Sequence, residues 1–352
     1  MPAALPEPPL PFAPYLIDNA MNHPARRRFI GIVAASSALA LAPSFLRRAH
    51  AGVAPTRWQG VALGADAELR LYHPDRQAAE QLIERALQEL RRLEGVFSLY
   101  RDDSALSILN RQGYLADPPS DLVRLLSESR HYAEVTGGLF DPSVQPLWRV
   151  YADHFAQPGA SPGGPAQEAI AQALQRVSYR GIDIDPQHIR LQPGMTLTLN
   201  GIAQGYITDR VTDLLRKAGL ERALVDMGEI RGLDDSANAT GWRVGLADPA
   251  APDQILAQVP VSNQALATSG GYGTPLDAAG RYSHLFDPHN GRARPLYRSV
   301  SVMASTATAA DALSTAFSNM PLERTAELVR TLGVRAWMVL PDGQLVKQSG
   351  DA

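Results

Sequence analysis

The 352-residue chain balances 33 Lys and Arg against 36 Asp and Glu, a net charge of −3, so there is no strong electrostatic case for nucleic acid as a partner. It has no cysteine, which removes disulfides, thiolate nucleophiles, zinc ribbons and iron–sulfur ligation together and leaves oxygen or histidine to hold any metal. The length admits one large domain or two ordinary ones, with a substantial core.

Residues 1–51 read as an N-terminal extension followed by an export signal. The stretch ARRRFIGIVAASSALALAPSFLRRAHA has an arginine cluster (Arg26, Arg27, Arg28), an apolar run from Phe29, and a small-x-small ending at Ala49-His50-Ala51. This is the pattern of a twin-arginine signal. The expectation is a periplasmic protein beginning near Gly52, with inner-membrane anchoring as the alternative if the signal is not cleaved. The proline-rich residues before Met21 add no signal feature, so either Met1 or Met21 could start the chain.

Elements then follow in chain order. GVALGADAELRLY alternates, with Val61, Leu63, Ala65, Ala67, Leu69 and Leu71 on one face, and predicts one half-buried strand. After Pro74-Asp75 the period changes: Ala79, Leu82, Ile83, Ala86, Leu87, Leu90 and Leu93 predict an amphipathic helix. A second helix is expected with Ser120 as cap, Leu122, Leu125 and Leu126 as its face, and Gly137-Gly138 as terminator. QPGASPGG near 157–164 is a loop that marks either a lobe boundary or a surface insertion. Strands are expected at GIDID, HIRLQ, MTLTL, RALVDMG, GWRVGLA, RSVSVMA and VRAWMVL, with helices from about Ala203 to Ala218 and across PLERTAELVRTLG. Strands outnumber long helices and come in hairpin-like runs, which predicts an α+β fold with a mixed, largely antiparallel sheet and flanking helices.

Familiar catalytic patterns are missing: there is no GxxxxGK[ST], GxGxxG after a strand, HExxH or GxSxG. What remains is a set of polar turns. LTLNGIAQGYITDR passes from strand to helix through Asn200-Gly201 and Gly205, either a junction that admits a phosphate-bearing ligand or simply a tight turn. ALATSGGYG supplies Thr268 and Ser269, and YSHLFDPHNGRARP supplies His284 and Asp287. His284 is either a proton-transfer group or a core histidine, since its ordinary titration range suits both readings. FSLYRDDSALSILN carries Tyr100, Arg101, Asp103, Ser104 and Asn110, and TGGLFDPSVQPLW carries Asp141; each is a turn or cap signal. In TATAADALSTAF the single acid Asp311 lies among small residues with Thr315 four positions later, so their oxygens share one helix face. That pair is either a ligand site or part of a helix start capped by Thr306 or Thr308.

Taken in order, FSLYRDDSALSILN, TGGLFDPSVQPLW, LNGIAQGY, LVDMGEIR, ALATSGGY, YSHLFDP and ADALSTA resemble the ApbE family of flavin transferases, and the resemblance spans nearly all of residues 52–352. It implies one domain of α+β fold with a central FAD cleft. It implies FAD as substrate, Mg2+ as metal, and transfer of FMN to a threonine hydroxyl of an acceptor redox protein with release of AMP. Carried over by motif, the metal ligands are Asp311, Thr315 and the carbonyl of Ala203. Tyr100, Asp141, Gly201, Gln204, Tyr206, Thr268, Ser269, Tyr272 and His284 line the FAD site, and His284 and Asp311 are the catalytic pair. The acceptor is expected to be periplasmic or membrane-bound, with transient contact to a membrane protein. An FAD pyrophosphatase and a non-catalytic flavin-binding protein are the alternatives.

Two departures from the family pattern stand out. The chain reads NGIAQG where many members read GGIAKG, so Asn200 replaces a glycine and Gln204 a lysine; it reads DMGEIR where many have a GGD triplet. A neutral Gln204 cannot assist with phosphate charge as a lysine would. These changes mark a subfamily, with members that accompany nitrous oxide reductase maturation as the expected relatives.

Overall fold

The computed structural model describes residues 54–235 and 241–350. The stretch read as an export signal lies outside the described residues, and within them no helix is long and apolar enough to cross a membrane.

The chain opens as a hairpin, β1 (Thr56–Ala62) and β2 (Ala65–Leu71), where one strand was expected. Leu63 (φ 46°) and Gly64 (φ 80°) form the two-residue turn, whose left-handed conformations suit a tight hairpin. The turn reverses which alternate residues face inward. Ala67, Leu69 and Leu71 are buried as predicted, but in β1 it is Ala62 that is buried while Val61 is 60% exposed.

Helix α1 (Arg76–Phe97) follows, started by Asp75 Oδ1, which accepts from the N–H groups of Gln77 (2.8 Å) and Ala78 (3.2 Å). Its buried stripe is the predicted one except for Leu87, which is only partly covered. Ser104 caps α2 (Ala105–Gln112), a helix that periodicity missed because it is barely two turns long. After β3 (Tyr114–Ala116) comes α3 (Ser120–Val135), in which Ser120 is the first helical residue and Pro119 occupies the capping position, so the expected serine cap is absent. Residues 157–164 join α4 (Gln145–Phe155) to α5 (Gln167–Leu174), which share an aromatic cluster with Tyr282 and Phe286.

Strands β4 (Ile182–Ile184) and β5 (His188–Leu191) pair with β3 in a small antiparallel sheet. MTLTL forms no strand. Its Leu197 instead pairs with a side chain: Asn110 Nδ2 donates to Leu197 O (2.8 Å) and Asn110 Oδ1 accepts from Leu197 N (2.6 Å), as a neighbouring strand would. Helix α6 (Ala203–Lys217) leads to β6 (Arg222–Asp226) and β7 (Ile230–Asp234), then to the hairpin β8 (Trp242–Asp248) and β9 (Ala251–Val261). The chain ends with β10 (Ala265–Gly270), β11 (Ser299–Ala304), α7 (Ala307–Phe317), α8 (Leu322–Leu332), β12 (Arg335–Val339) and β13 (Leu345–Ser349).

Among the described residues the main sheet has eight antiparallel strands in the order β1-β2-β6-β7-β10-β11-β12-β13. Side chains alternate across it. Ala223, Val225, Ala267 and Val302 join the large core that includes α1, α6 and α7, while Leu224, Leu266, Met303 and Trp337 join Trp242 and Val259 of the β8–β9 hairpin on the opposite face. The sheet is thus covered on both sides, which explains the nearly continuous burial along β7 and β11. The α+β class and largely antiparallel sheet are as the sequence predicts.

Candidate active site

The site is built where the first turn of α6 meets α7. Leu199 O accepts from Ile202 N (3.0 Å) and Ala203 N (2.8 Å), turning the chain into α6. Ile202 has no side-chain oxygen with which to cap the helix. The N–H of Gly205 is satisfied from another element: Asp311 Oδ2 accepts from it at 3.1 Å. Asp311 is only 2% exposed, so this acid belongs to the interior of the helix contact and not to a solvated face.

The two helices run antiparallel, Gly201 lying against Thr315 and Gly205 against Ala307 and Asp311. A Cβ at Gly205 would stand 2.3 Å from Ala307 O, and one at Gly201 would stand 2.8 Å from Thr315 Oγ1. Both positions therefore require glycine for close approach. Thr306 caps α7, its Oγ1 accepting from Ala309 N at 3.2 Å, so the helix-start reading of this stretch holds together with the placement of Asp311 at the contact.

The end of β10 closes a third side. Ser269 Oγ lies 2.7 Å from Ser314 Oγ and 3.4 Å from Thr315 Oγ1. Thr268 Oγ1 pairs with Ser301 Oγ (2.8 Å), and Thr268 N donates to Glu229 Oε2 (3.2 Å). Glu229 is fully buried in the turn between β6 and β7, and its carbonyl accepts from Thr208 Oγ1 on α6 at 3.0 Å. The amide of Gln204 lies over Gly228 in the same turn, where a Cβ would stand 2.6 Å from Gln204 Nε2. Gly228 has a φ of 100°, so the sharp turn and the close glutamine both call for glycine there. Asn200, by contrast, is exposed.

Tyr272 follows β10 in a short 3-10 turn, 40% exposed, with its ring over Gly270. Residues 275–283 then fold back: Pro275 and Ser283 form a bridge, and Ser283 lies against Gly271. This returns His284 to the Tyr272 turn, with His284 Nδ1 3.4 Å from Thr274 O. A carbonyl can only accept, so in this long contact Nδ1 is the donor. Asp287 shapes the next turn by accepting from His289 N (2.9 Å) and Asn290 Nδ2 (2.6 Å).

The remaining predicted residues lie elsewhere. Tyr100 is 74% exposed just beyond α1. Asp141 is buried, with its oxygens accepting from Ser143 N (2.8 Å), Ser143 Oγ (2.6 Å) and Tyr179 N (2.8 Å). Burial pushes its carboxyl above the usual range even though these donors favour the charged form. Tyr206 turns into the core, its ring edge-on to Phe97 and its hydroxyl donating to Asp121 Oδ1 at 2.7 Å. Burial, with Asp121 beside it, pushes the Tyr206 phenol up.

Asp209 is the residue the sequence reading passed over. It is buried on α6 and accepts from Ala307 N (2.8 Å), Thr308 N (2.9 Å), Thr308 Oγ1 (2.6 Å) and Arg231 Nη1 (2.6 Å). In TDRVTD it looks like one more charge on a helix surface, and only its spacing of two turns from Gly201 hints at the same face.

The donor set fits a hard cation. Among the described residues no group of three His, Cys, Asp or Glu side chains gathers as a metal site, and a hard cation held here would use hydroxyl and carbonyl oxygens besides a carboxylate. Asp311 and Thr315 supply a carboxylate and a hydroxyl on one helix face, against the first turn of α6 that contains Ala203. The missing Cβ atoms at Gly201 and Gly205 keep that contact close.

Comparison with known proteins shows the family. The family model described as the ApbE family matches residues 63–338. The FAD:protein FMN transferase of Treponema pallidum is 33% identical over 320 residues, which cover 82% of this chain and 85% of that protein. The flavinyl transferase ApbE of Pseudomonas stutzeri, solved in its apo form, is 26% identical with a TM-score of 0.70, covering 84% of this chain and 95% of its own. The ApbE protein of Thermotoga maritima is likewise 26% identical, with a TM-score of 0.73 and coverage of 84% and 97%. The match along most of the chain, in sequence and in fold, decides the matter: this chain belongs to the ApbE family.

Proposed function

We propose that the chain is an FAD:protein FMN transferase that uses Mg2+ to move FMN from FAD to a threonine hydroxyl of an acceptor protein, releasing AMP. The observation that carries this reading is the convergence of Asp311 and Thr315 with the first turn of α6 and with Ser269, in a chain whose relatives bear that activity in their names.

In the reaction the threonine oxygen forms a bond to the phosphorus of the FMN half, the pyrophosphate bond to AMP breaks, and the threonine proton passes to His284. Asp311, Thr315 and the Ala203 carbonyl would hold the cation, which when bound would supply charge neutralisation to the pyrophosphate and the leaving AMP. His284 acts through Nε2, since Nδ1 is turned to Thr274 O. Thr268, Ser269, Tyr272 and the turn from Gly201 to Gln204 border the flavin nucleotide. The neutral Gln204, set over Gly228, leaves more of the phosphate charge to the cation than a lysine would.

The reading extends to the cell. The Arg26–Arg28 cluster and the apolar run after it support export by the twin-arginine route. The acceptor is then a periplasmic or membrane redox protein, with the nitrous oxide reductase maturation system as the first to examine.

The test is incubation with FAD and Mg2+, with and without an acceptor carrying a candidate threonine, followed by chromatography of the nucleotides. AMP formed only with acceptor, alongside flavin fluorescence that survives denaturation of the acceptor, is the expected result. Free FMN and AMP without acceptor would mean a pyrophosphatase. Intact bound FAD in every sample would mean a flavin-binding protein without turnover.

A further inference from the structure

We infer that Asp209 is a positioning residue for the cation site, acting through α7; the inference rests on the reading of Asp311 and Thr315 as cation ligands. The first three N–H groups of α7 have no acceptor within their own helix. Thr306 Oγ1 takes that of Ala309, and Asp209 on α6 takes those of Ala307 and Thr308. Meanwhile Asp311 on α7 takes the N–H of Gly205 on α6.

The two helices thus cap each other. Gly205 lies one turn before Asp209 on α6, and Asp311 lies one turn after Ala307 on α7, so the exchanges sit side by side along the antiparallel contact. Two fixed points a turn apart set both the rotation of α7 and its position along α6. One of them, Asp311, is a proposed ligand; the other, Asp209, is not, and its oxygens are taken up by Ala307, Thr308 and Arg231, which hold the geometry. Its own orientation is fixed by the Thr308 hydroxyl and by Arg231, whose Nη1 reaches Asp209 Oδ1 from β7.

A simply structural Asp209 would lower stability and nothing else. A positioning Asp209 lowers cation affinity in protein that remains folded, because ligands held through an outer partner typically lose 10–100-fold in metal affinity when that partner is removed. The discriminating variants are Asp209→Asn, which replaces one acceptor oxygen by a donor facing the N–H of Ala307 or of Thr308, and the gentler Thr308→Val, which removes only the hydroxyl bond. Thr308→Ser retains that hydroxyl. Thr325→Val removes a buried hydroxyl that donates to Pro321 O at the start of α8, away from the site, and serves as the control for lost stability.

The experiment titrates Mn2+ into the full chain with FAD present and counts the free ion by electron paramagnetic resonance, with unfolding curves for every variant. The inference expects Asp209→Asn to weaken Mn2+ binding at least tenfold and Thr308→Val by several-fold. Thr308→Ser and Thr325→Val stay near the wild-type affinity. If Asp311→Ala abolishes binding while folded Asp209→Asn and Thr308→Val bind as the wild type does, the positioning role is overturned and the cation site stands. If Thr325→Val weakens binding as much as Thr308→Val, general loss of stability accounts for the effect and the role is again overturned. If the wild type and Asp311→Ala bind alike, the cation reading fails and the inference with it.

Discussion

The N–H of Gly205 donates to Asp311 Oδ2 at 3.1 Å, joining residues 106 positions apart in sequence across the contact of two antiparallel helices. The bond exists because neither residue at these points has bulk in the way: a Cβ at Gly205 would stand 2.3 Å from Ala307 O. A glycine that costs helix propensity on α6 thereby admits the carboxylate that completes the helix start.

Gly205→Ala is therefore expected to destabilise the protein. At an unobstructed helical position the same change would stabilise by up to about 1 kcal/mol. Here the clash is with backbone, and the net cost should be roughly 1–3 kcal/mol, with loss of metal-dependent turnover. Denaturant unfolding measures the sign, and a stabilised variant would show that the helices can part without penalty.

Asn110 acts at a distance from the chemistry by pairing with both backbone groups of Leu197, three residues before the Asn200-Gly201 turn. Asn110→Ala leaves both groups without that partner and should cost roughly 1–3 kcal/mol. FAD binding should weaken as well, because the segment leading into α6 loses its anchor. Equal FAD affinity in folded Asn110→Ala protein, read by fluorescence titration, would separate this segment from the site.

Tyr206→Phe tests whether this tyrosine serves the core or the flavin. Burial alone would raise the Asp121 carboxyl, but the Tyr206 hydroxyl and Arg92, with Arg210 nearby, outweigh it and hold Asp121 below its ordinary value. A lowered carboxyl contributes stability above its unfolded value of about 3.9 and loses it as pH falls through the folded value. The wild type should thus exceed Tyr206→Phe by roughly 1.5–3 kcal/mol near neutral pH, the gap narrowing below about pH 4. FAD affinity should be unchanged, and a marked loss would show that the hydroxyl reaches the ligand.

His284→Gln should slow FMN transfer by about 10²–10⁴-fold while leaving FAD affinity intact. If binding disappears instead, the imidazole is a nucleotide contact and the proton must leave by another group.

Much of the frame was legible because periodicity reports burial on one face. The stripe of α1, the alternation of β2 and the span of α6 follow directly from apolar spacing. Strand β11 follows from the alternation in RSVSVMA, whereas β7 is missed, because IRGLD is buried throughout and carries no polar–apolar alternation. The opening hairpin was read as one strand because alternation runs through Leu63-Gly64 without an obvious break. MTLTL has the alternation of a strand but forms none, and Leu197 pairs with the Asn110 side chain, which no local pattern encodes. In the site, Asp311 and Thr315 could be paired by helical spacing alone, and the order of motifs brought in Gly201, Ser269 and His284. The capping role of Asp209 depends on α7 arriving 98 residues later, so its own neighbours in sequence do not disclose it.

The central claim is that Asp311 and Thr315 hold the cation on which FMN transfer depends. The most direct measurement is mass spectrometry of an acceptor protein after incubation with FAD and Mg2+, comparing the wild type with Asp311→Ala and Thr315→Ala. The account predicts acceptor carrying FMN with the wild type, none with Asp311→Ala, and a reduced yield with Thr315→Ala that recovers as Mg2+ is raised. Flavinylated acceptor at the wild-type rate from folded Asp311→Ala would contradict it.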